Sequence, residues 1–263
     1  MKRLLLFVPL VLIFAGCRTC VYYFGTEKSW EQELPDNLDL GIPGESDQII
    51  NRPGYALGYS QNWKQPLWVT YRLTKDEVDA PYMKRTNDFR ADPNIAGGTA
   101  VTEDYWNSGY DRGHLAPAAD MYWSTNAMSE SFYMSNMSPQ TPQCNRKTWL
   151  AAEIFARQCA KNEERVMVVS GPIVTNTTPT VIGKNEVVVP DAFFKVIYDE
   201  TPPEKMIAFV IPNENPDANV WLYVTNVVYV EEVTGLNFFP ALQREELHAL
   251  KLQCNTNDWF NSK

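Results

Sequence analysis

Six short segments rich in aromatic and β-branched residues most constrain the fold of this chain: Tyr55–Tyr59, Leu67–Leu73, Val166–Ser170, Ala192–Tyr198, Met206–Ile211 and Trp221–Val224. Prolines and asparagines punctuate them at Pro202-Pro203 and in Pro212-Asn213-Glu214-Asn215-Pro216, which read as turns. Only two stretches carry a helical pattern, Arg146 to Lys161 and Pro240 to Leu250, the second with proline suited to a first helical position. Strands this numerous with so few helices predict an α+β fold around a central, mostly antiparallel sheet. From residue 51 onward the chain is long enough to bury a substantial core as one domain. The long interval between the second and third strands leaves a strand-loop-helix passage, Tyr110 to Lys161, outside the regular strand pattern.

The N-terminus sets the expected compartment. Met1-Lys2-Arg3 is followed by the apolar run Leu4 to Ala15, too short to span a bilayer comfortably, and then by Gly16-Cys17. Residues 1–16 are expected to be a signal peptide. The stretch ending at Cys17 resembles the lipobox of bacterial lipoproteins, in which that cysteine is lipidated, although Phe14 departs from the usual leucine. The chain is therefore expected to be exported, either as a membrane-anchored lipoprotein of a bacterial envelope or as a periplasmic or secreted protein. Residues 17–50 are polar and rich in Pro, Gly and Asp, as in a tether or N-terminal arm. Residues 51–263 form the expected folded domain.

The net charge of −9 becomes −11 once residues 1–16, with Lys2 and Arg3 and no acid, are removed. A general polyanion binder is excluded, because counterion release requires a basic surface. Contact with nucleic acid must then use a local patch or a metal. Basic residues do gather in one region, at Lys84, Arg85, Arg90, Arg112, Arg146, Lys147 and Arg157.

Beyond Cys17, four cysteines remain, Cys20, Cys144, Cys159 and Cys254. Cys144 and Cys159 would lie about 22 Å apart along one helix, whereas a disulfide spans Cα atoms up to about 7 Å apart. Of the pairings left, Cys159–Cys254 is the expectation. No Cys/His cluster has the spacing of a structural zinc site.

The chemistry is concentrated in Asp111-Arg112-Gly113-His114, which holds one of the two histidines. If these residues are extended, Arg112 and His114 share a face, with Gly113 leaving room for close backbone approach. An imidazole beside a guanidinium suits deprotonation of a water next to a phosphate. Downstream lie Ser135-Asn136-Met137-Ser138-Pro139-Gln140, then Asn145 nine residues after Asn136, and Glu153 eight after Asn145. On an α-helix, Asn145 and Glu153 would stand about 80° and 12 Å apart.

Taken together, DRGH, SNMSPQ and N-x-x-x-W-x-x-x-E resemble the DNA/RNA non-specific endonuclease family, which includes the endonuclease-G-like enzymes among the ββα-metal nucleases. Weaker similarity continues through Ser170-Gly171-Pro172 and Thr234 to Pro240, so it covers most of residues 51–250. The resemblance implies a ββα-metal strand-loop-helix site and a Mg2+-dependent hydrolysis, with Mn2+ able to substitute, of phosphodiester bonds in DNA and RNA. It implies His114 as general base, Asn145 as the metal ligand and Arg112 as a phosphate contact. It also implies that Glu153 acts on the ion through water, that Asn136 orders the site, and that an upstream arginine binds substrate. Arg85 and Arg90 both fit that last role. One neutral ligand agrees with the chemistry of magnesium, which keeps several waters and binds substrate phosphate.

Each residue also has a plain structural reading. Asn145 makes a good helix N-cap, Asn136 and Ser138 beside Pro139 a turn, and Glu153 a solvated helix position. Trp149 and Phe155 read as core, Asp111 and Asp120 as holders of loop amides, and His248 as exposed. Their joint order favours the enzyme. The alternative function is a catalytically inactive nucleic-acid-binding surface lipoprotein on the same scaffold.

Overall fold

The computed structural model describes residues 37–242 and 246–260. The leader, Cys17 and Cys20 lie outside these residues, so the expected export signal and lipid anchor do too. Among the described residues no helix is long and apolar enough to cross a membrane.

Seven strands form one antiparallel sheet, in the order β1 (Gln48–Asn51), β2 (Ala56–Ser60), β3 (Gln65–Thr74), β6 (Arg165–Ile173), β9 (Ala192–Asp199), β10 (Lys205–Pro212) and β11 (Val224–Thr225). Between β3 and β6 the chain leaves the sheet for α1 (Lys75–Val78), β4 (Asp111–His114), α2 (Thr125–Glu130), β5 (Met137–Gln140) and α3 (Leu150–Glu163). After β6 come the ribbon β7 (Val181–Ile182) and β8 (Val187–Val188), and after β11 the helices α4 (Val227–Thr234), α5 (Glu246–Lys251) and α6 (Asn257–Phe260). The α+β class and central antiparallel sheet are as the sequence predicts.

The sheet is buried on both faces, which is why its strands read as nearly continuous apolar runs rather than alternating ones. Val166, Val168, Ile197, Ile207 and Phe209 face one core, shared with Trp149, Ala152, Phe155 and Ala156 of the helix. Met167, Val169, Phe194, Val196 and Met206 face the other, closed by Val227 and Val230 of α4 and by Phe238 and Phe239.

Four expectations change. The sheet begins inside the stretch assigned to the arm: β1 starts at Gln48, and Asn37 and Leu40 are already buried. Asn37 caps this edge by donating to the Arg52 carbonyl at 3.0 Å and accepting from the Arg72 amide at 3.1 Å. Trp221–Val224 is mostly a 3-10 turn, with pairing confined to Val224 and Thr225. Pro240–Leu242 are not helical, the C-terminal helix being described over Glu246–Lys251, and α4 has no counterpart in the predicted elements. Its signals were local, Asn226 accepting from the Tyr229 amide at 2.8 Å and Gly235 closing the end with φ +71°. Finally, Cys144, Cys159 and Cys254 are free thiols. Cys159 points into the core from α3 while Cys254 is exposed, so the expected bridge lacks a common location.

One buried ion pair ties the sheet edge to the inserted loops. Arg52 meets Asp92 at 2.5 Å, and Asp92 also accepts from the Ser135 hydroxyl and the Asn94 amide. Removing one partner strands a buried charge, a loss of about 3–5 kcal/mol. Asp92→Ala should therefore lower the unfolding free energy by about that amount in a denaturant titration; a change under about 1 kcal/mol would show that Arg52 finds other compensation.

Candidate active site

β4 and β5 pair as a two-stranded antiparallel ribbon, with Asp111 opposite Gln140 and His114 opposite Met137. Gly113 is required by close approach: a Cβ there would lie 2.2 Å from the Gln140 side chain. The helix that follows opens with a π-helical turn, Cys144–Trp149, before continuing as α3. Such wide turns are uncommon and recur at functional sites. Asn145 lies inside this turn rather than capping it, and its amide donates to the Thr141 carbonyl at 2.9 Å. The α-helical angle between Asn145 and Glu153 does not hold across a π turn.

Two contacts fasten helix to ribbon. At one end Asp111 accepts from the Asn145 side-chain amide at 2.9 Å and from Arg146 Nε and Nη2 at 2.8 and 2.7 Å. At the other, the Trp149 indole N–H donates to the His114 carbonyl at 3.0 Å. The strand bearing the imidazole and the turn bearing the carboxamide are thus held side by side. With its nitrogen held by Asp111, Asn145 keeps its Oδ1 without a hydrogen bond among the described residues. Burial is opposed in Asp111 by Arg146 and Asn145, and its carboxyl sits below the usual range.

His114 is 7% exposed. Its ring meets Phe132 edge-on at 4.9 Å and Phe89 at 5.7 Å. The same two rings carry guanidiniums, Arg85 over Phe132 at 4.8 Å and Arg112 over Phe89 at 4.0 Å. Two cations therefore stand around the imidazole with aromatic rings as spacers. Burial, then Arg85 and Arg112, push its pKa down to about 3, so the ring is neutral through the physiological range. Nε2 is buried without a hydrogen-bond partner. Neither Arg85 nor Arg112 has a carboxylate partner among the described residues; Arg85 is held only by Asn87 at 2.9 Å. Unpaired guanidiniums of this kind are ready to take an anion.

The two upstream arginines differ in their surroundings. Arg90 is occupied by Asp88 at 2.8 Å, by Ser129 at 2.9 and 3.0 Å, and by the Tyr133 ring at 4.0 Å. Arg85 is the one facing His114 and Glu153. Asn136 does not reach the cleft. Its Oδ1 accepts from the Ala116 amide, and its Nδ2 donates to the Ala116 and Ser131 carbonyls, at 2.8–2.9 Å. Fully buried, it fixes the backbone that follows His114 and offers no free polar atom to a substrate.

Glu153 is half-buried on α3, and burial raises its carboxyl pKa, opposed by Lys195. Asp120 is not a holder of loop amides: it accepts from the Tyr71 hydroxyl at 2.9 Å and from Arg157 at 2.6 Å. His248 is exposed, as expected, and Trp149 and Phe155 are core.

Sequence reasoning missed Lys195. It is fully buried, donates to Ser170 Oγ at 2.7 Å and stands 4.3 Å over the Trp149 ring. Its charge balances Glu153 and Asp120, and burial lowers its pKa. A lone cation inside the apolar run Ala192 to Ile197 was the available signal. Arg157, already among the gathered basic residues, is held by Asp120 rather than left for a substrate.

Among the described residues no group of three or more His, Cys, Asp or Glu side chains could cage a metal. The free Asn145 Oδ1, a hard oxygen steadied by Asp111, fits an ion such as magnesium that retains water and shares a phosphate ligand.

Comparison with known proteins follows the same lines. Residues 35–245 match the family model described as DNA/RNA non-specific endonuclease. Human mitochondrial endonuclease G is 35% identical over 216 residues, 77% of this chain and 72% of that protein. The mitochondrial nuclease EXOG of Xenopus laevis is 36% identical, over 81% of this chain and 63% of its own length. A chain in a crystal structure of the EndoG/EndoGI complex superposes with a TM-score of 0.75 at 30% identity, covering 82% of this chain and 95% of that one.

Arg85→Ala removes one of two cations depressing the histidine, so the imidazole pKa should rise from about 3 toward its ordinary value. With two histidines in the chain, NMR titration of the ring protons resolves it; an unchanged value would place Arg85 too far away to act.

Proposed function

This chain belongs to the DNA/RNA non-specific endonuclease family, and we propose that it hydrolyses phosphodiester bonds in both DNA and RNA, with His114 activating water and Mg2+, replaceable by Mn2+, held at Asn145. The observation that carries the reading is a neutral, partnerless imidazole between two unpaired guanidiniums, on a strand clipped to the turn that presents Asn145.

Arg85 and Arg112 bind the scissile phosphate. With the proton on the buried Nε2, the Nδ1 lone pair of His114 takes a proton from water. The resulting hydroxide attacks phosphorus in line, the bond from phosphorus to O3′ breaks, O3′ takes a proton from solvent to become a hydroxyl, and the other product carries a 5′-phosphate. A divalent ion supplies positive charge to the phosphate and to the departing oxygen. Because the nucleophile is external water, no ribose 2′-OH is needed.

The low pKa of the free histidine is compatible with a base. Arrival of the phosphate offsets the two arginine charges, which raises the imidazole's proton affinity as the reaction begins. Glu153 would steady the ion through water, and Lys195 offsets its negative charge. Export, and attachment to a membrane through a lipidated Cys17, belong to the same reading and rest on residues 1–17 alone.

His114→Ala should slow cleavage of plasmid DNA and of RNA by about 10²–10⁴-fold or more with folding intact. Chelation should stop the parent enzyme, and Mg2+ or Mn2+ should restore it. A variant as fast as the parent removes His114 from the chemistry, and full activity in chelator removes the ion.

A further inference from the structure

One exposed aromatic group near the cleft has no role in the core. Tyr82 lies in the irregular segment between α1 and β4, and it is 75% exposed. Its ring rests against Tyr122, with centroids 4.8 Å apart and planes inclined at 53°. Tyr122 is half-buried at the end of the 3-10 turn Ala118–Met121, which follows His114 by a few residues. Arg85, three residues after Tyr82, lies within electrostatic reach of both phenols, of Glu153 and of His114. Its guanidinium covers the Phe132 ring that edges the imidazole.

We propose that the Tyr82–Tyr122 pair is a stacking subsite for an unpaired nucleobase adjoining the phosphate that Arg85 and Arg112 hold. The proposal rests on the nuclease reading and adds to it a preference for single-stranded or unwound substrate. Three observations converge on this occupant. The pair is continuous with the cleft through Arg85. The Arg85 guanidinium beside it lacks a carboxylate partner among the described residues, so it favours a polyanion in an otherwise acidic chain. The open face of Tyr82 is planar and apolar with a polar rim, which suits a base's π-face and tolerates any base identity. In a duplex those faces are covered by neighbouring bases; in a single strand they are available.

The test compares parent, Tyr82→Ala and Tyr82→Trp on a single-stranded oligonucleotide, on its duplex, and on an equally long strand of abasic tetrahydrofuran units. Steady-state kinetics are read in Mg2+, and equilibrium binding by fluorescence anisotropy in chelator. Tyr82→Ala should raise KM and Kd for the single strand about tenfold, the size of one lost base–aromatic stack, with kcat kept. Tyr82→Trp should recover the loss, and parent and Tyr82→Ala should be equal on the abasic strand. Unchanged KM and Kd in Tyr82→Ala, or an equal loss on the abasic strand, would overturn the subsite while leaving the nuclease intact. A parent that cleaves none of the three overturns the nuclease reading, and the binding measurements then decide the subsite by themselves.

Discussion

The site depends on one constraint, the fastening of a π-wound helical opening to a short strand at two points. Asp111 holds Asn145 and Arg146 at one end, and the Trp149 indole holds the His114 carbonyl at the other. Each bond contributes only about 0.5–1.5 kcal/mol net, somewhat more where charge is involved. Their value lies in geometry. Together they hold the strand that bears the imidazole beside the turn that bears the carboxamide, as a reaction requiring reactants held in near-attack geometry demands.

Beneath that fastening the protein places charges it does not expose. Lys195 stands against the Trp149 ring and opposes Glu153 and Asp120, while Arg157 and Tyr71 close on Asp120. Buried charges survive only when paired or hydrogen-bonded, so this group forms a connected block between sheet and site. On the cleft side, Arg85 and Arg112 have no carboxylate partner, and His114 no partner on Nε2, among the described residues. In the cleft, the groups left without partners are ones that a phosphate and a water would complete, and this is the electrostatic basis for reading it as a nuclease centre.

Much of the sheet was legible because its strands are long apolar runs between Pro- and Asn-rich turns, and five of the six expected strands are where those runs lie. The failures were local. Trp221–Val224 has strand-like composition but curls into a 3-10 turn that packs Trp221 against Phe155 and Phe209. In α4, the run of Val and Tyr disfavours helix, and packing of Val227 and Val230 under the sheet overrides it. The cysteine pairing failed because helix geometry could exclude one partner but could not say which side of the helix the remaining thiol faced.

The linear chain determined the order of reactive residue types and their spacing, and hence a ribbon followed by a helix with His114 and Asn145 near its junction. The reason for glycine between Arg112 and His114 came from the folded molecule, since the side chain it admits is Gln140 of the neighbouring strand. Only the folded molecule distinguishes the two upstream arginines. Arg85 and Arg90 are five residues apart in an irregular segment, and neither composition nor periodicity distinguishes them. Asp88, Ser129 and Tyr133, the last two distant in sequence, capture Arg90, and Arg85 is left over the Phe132 ring. The same holds for Asn136, whose amide is used up by backbone at Ala116 and Ser131. Satisfaction of a polar group is a property of its neighbours in space, and long-range packing alone sets those.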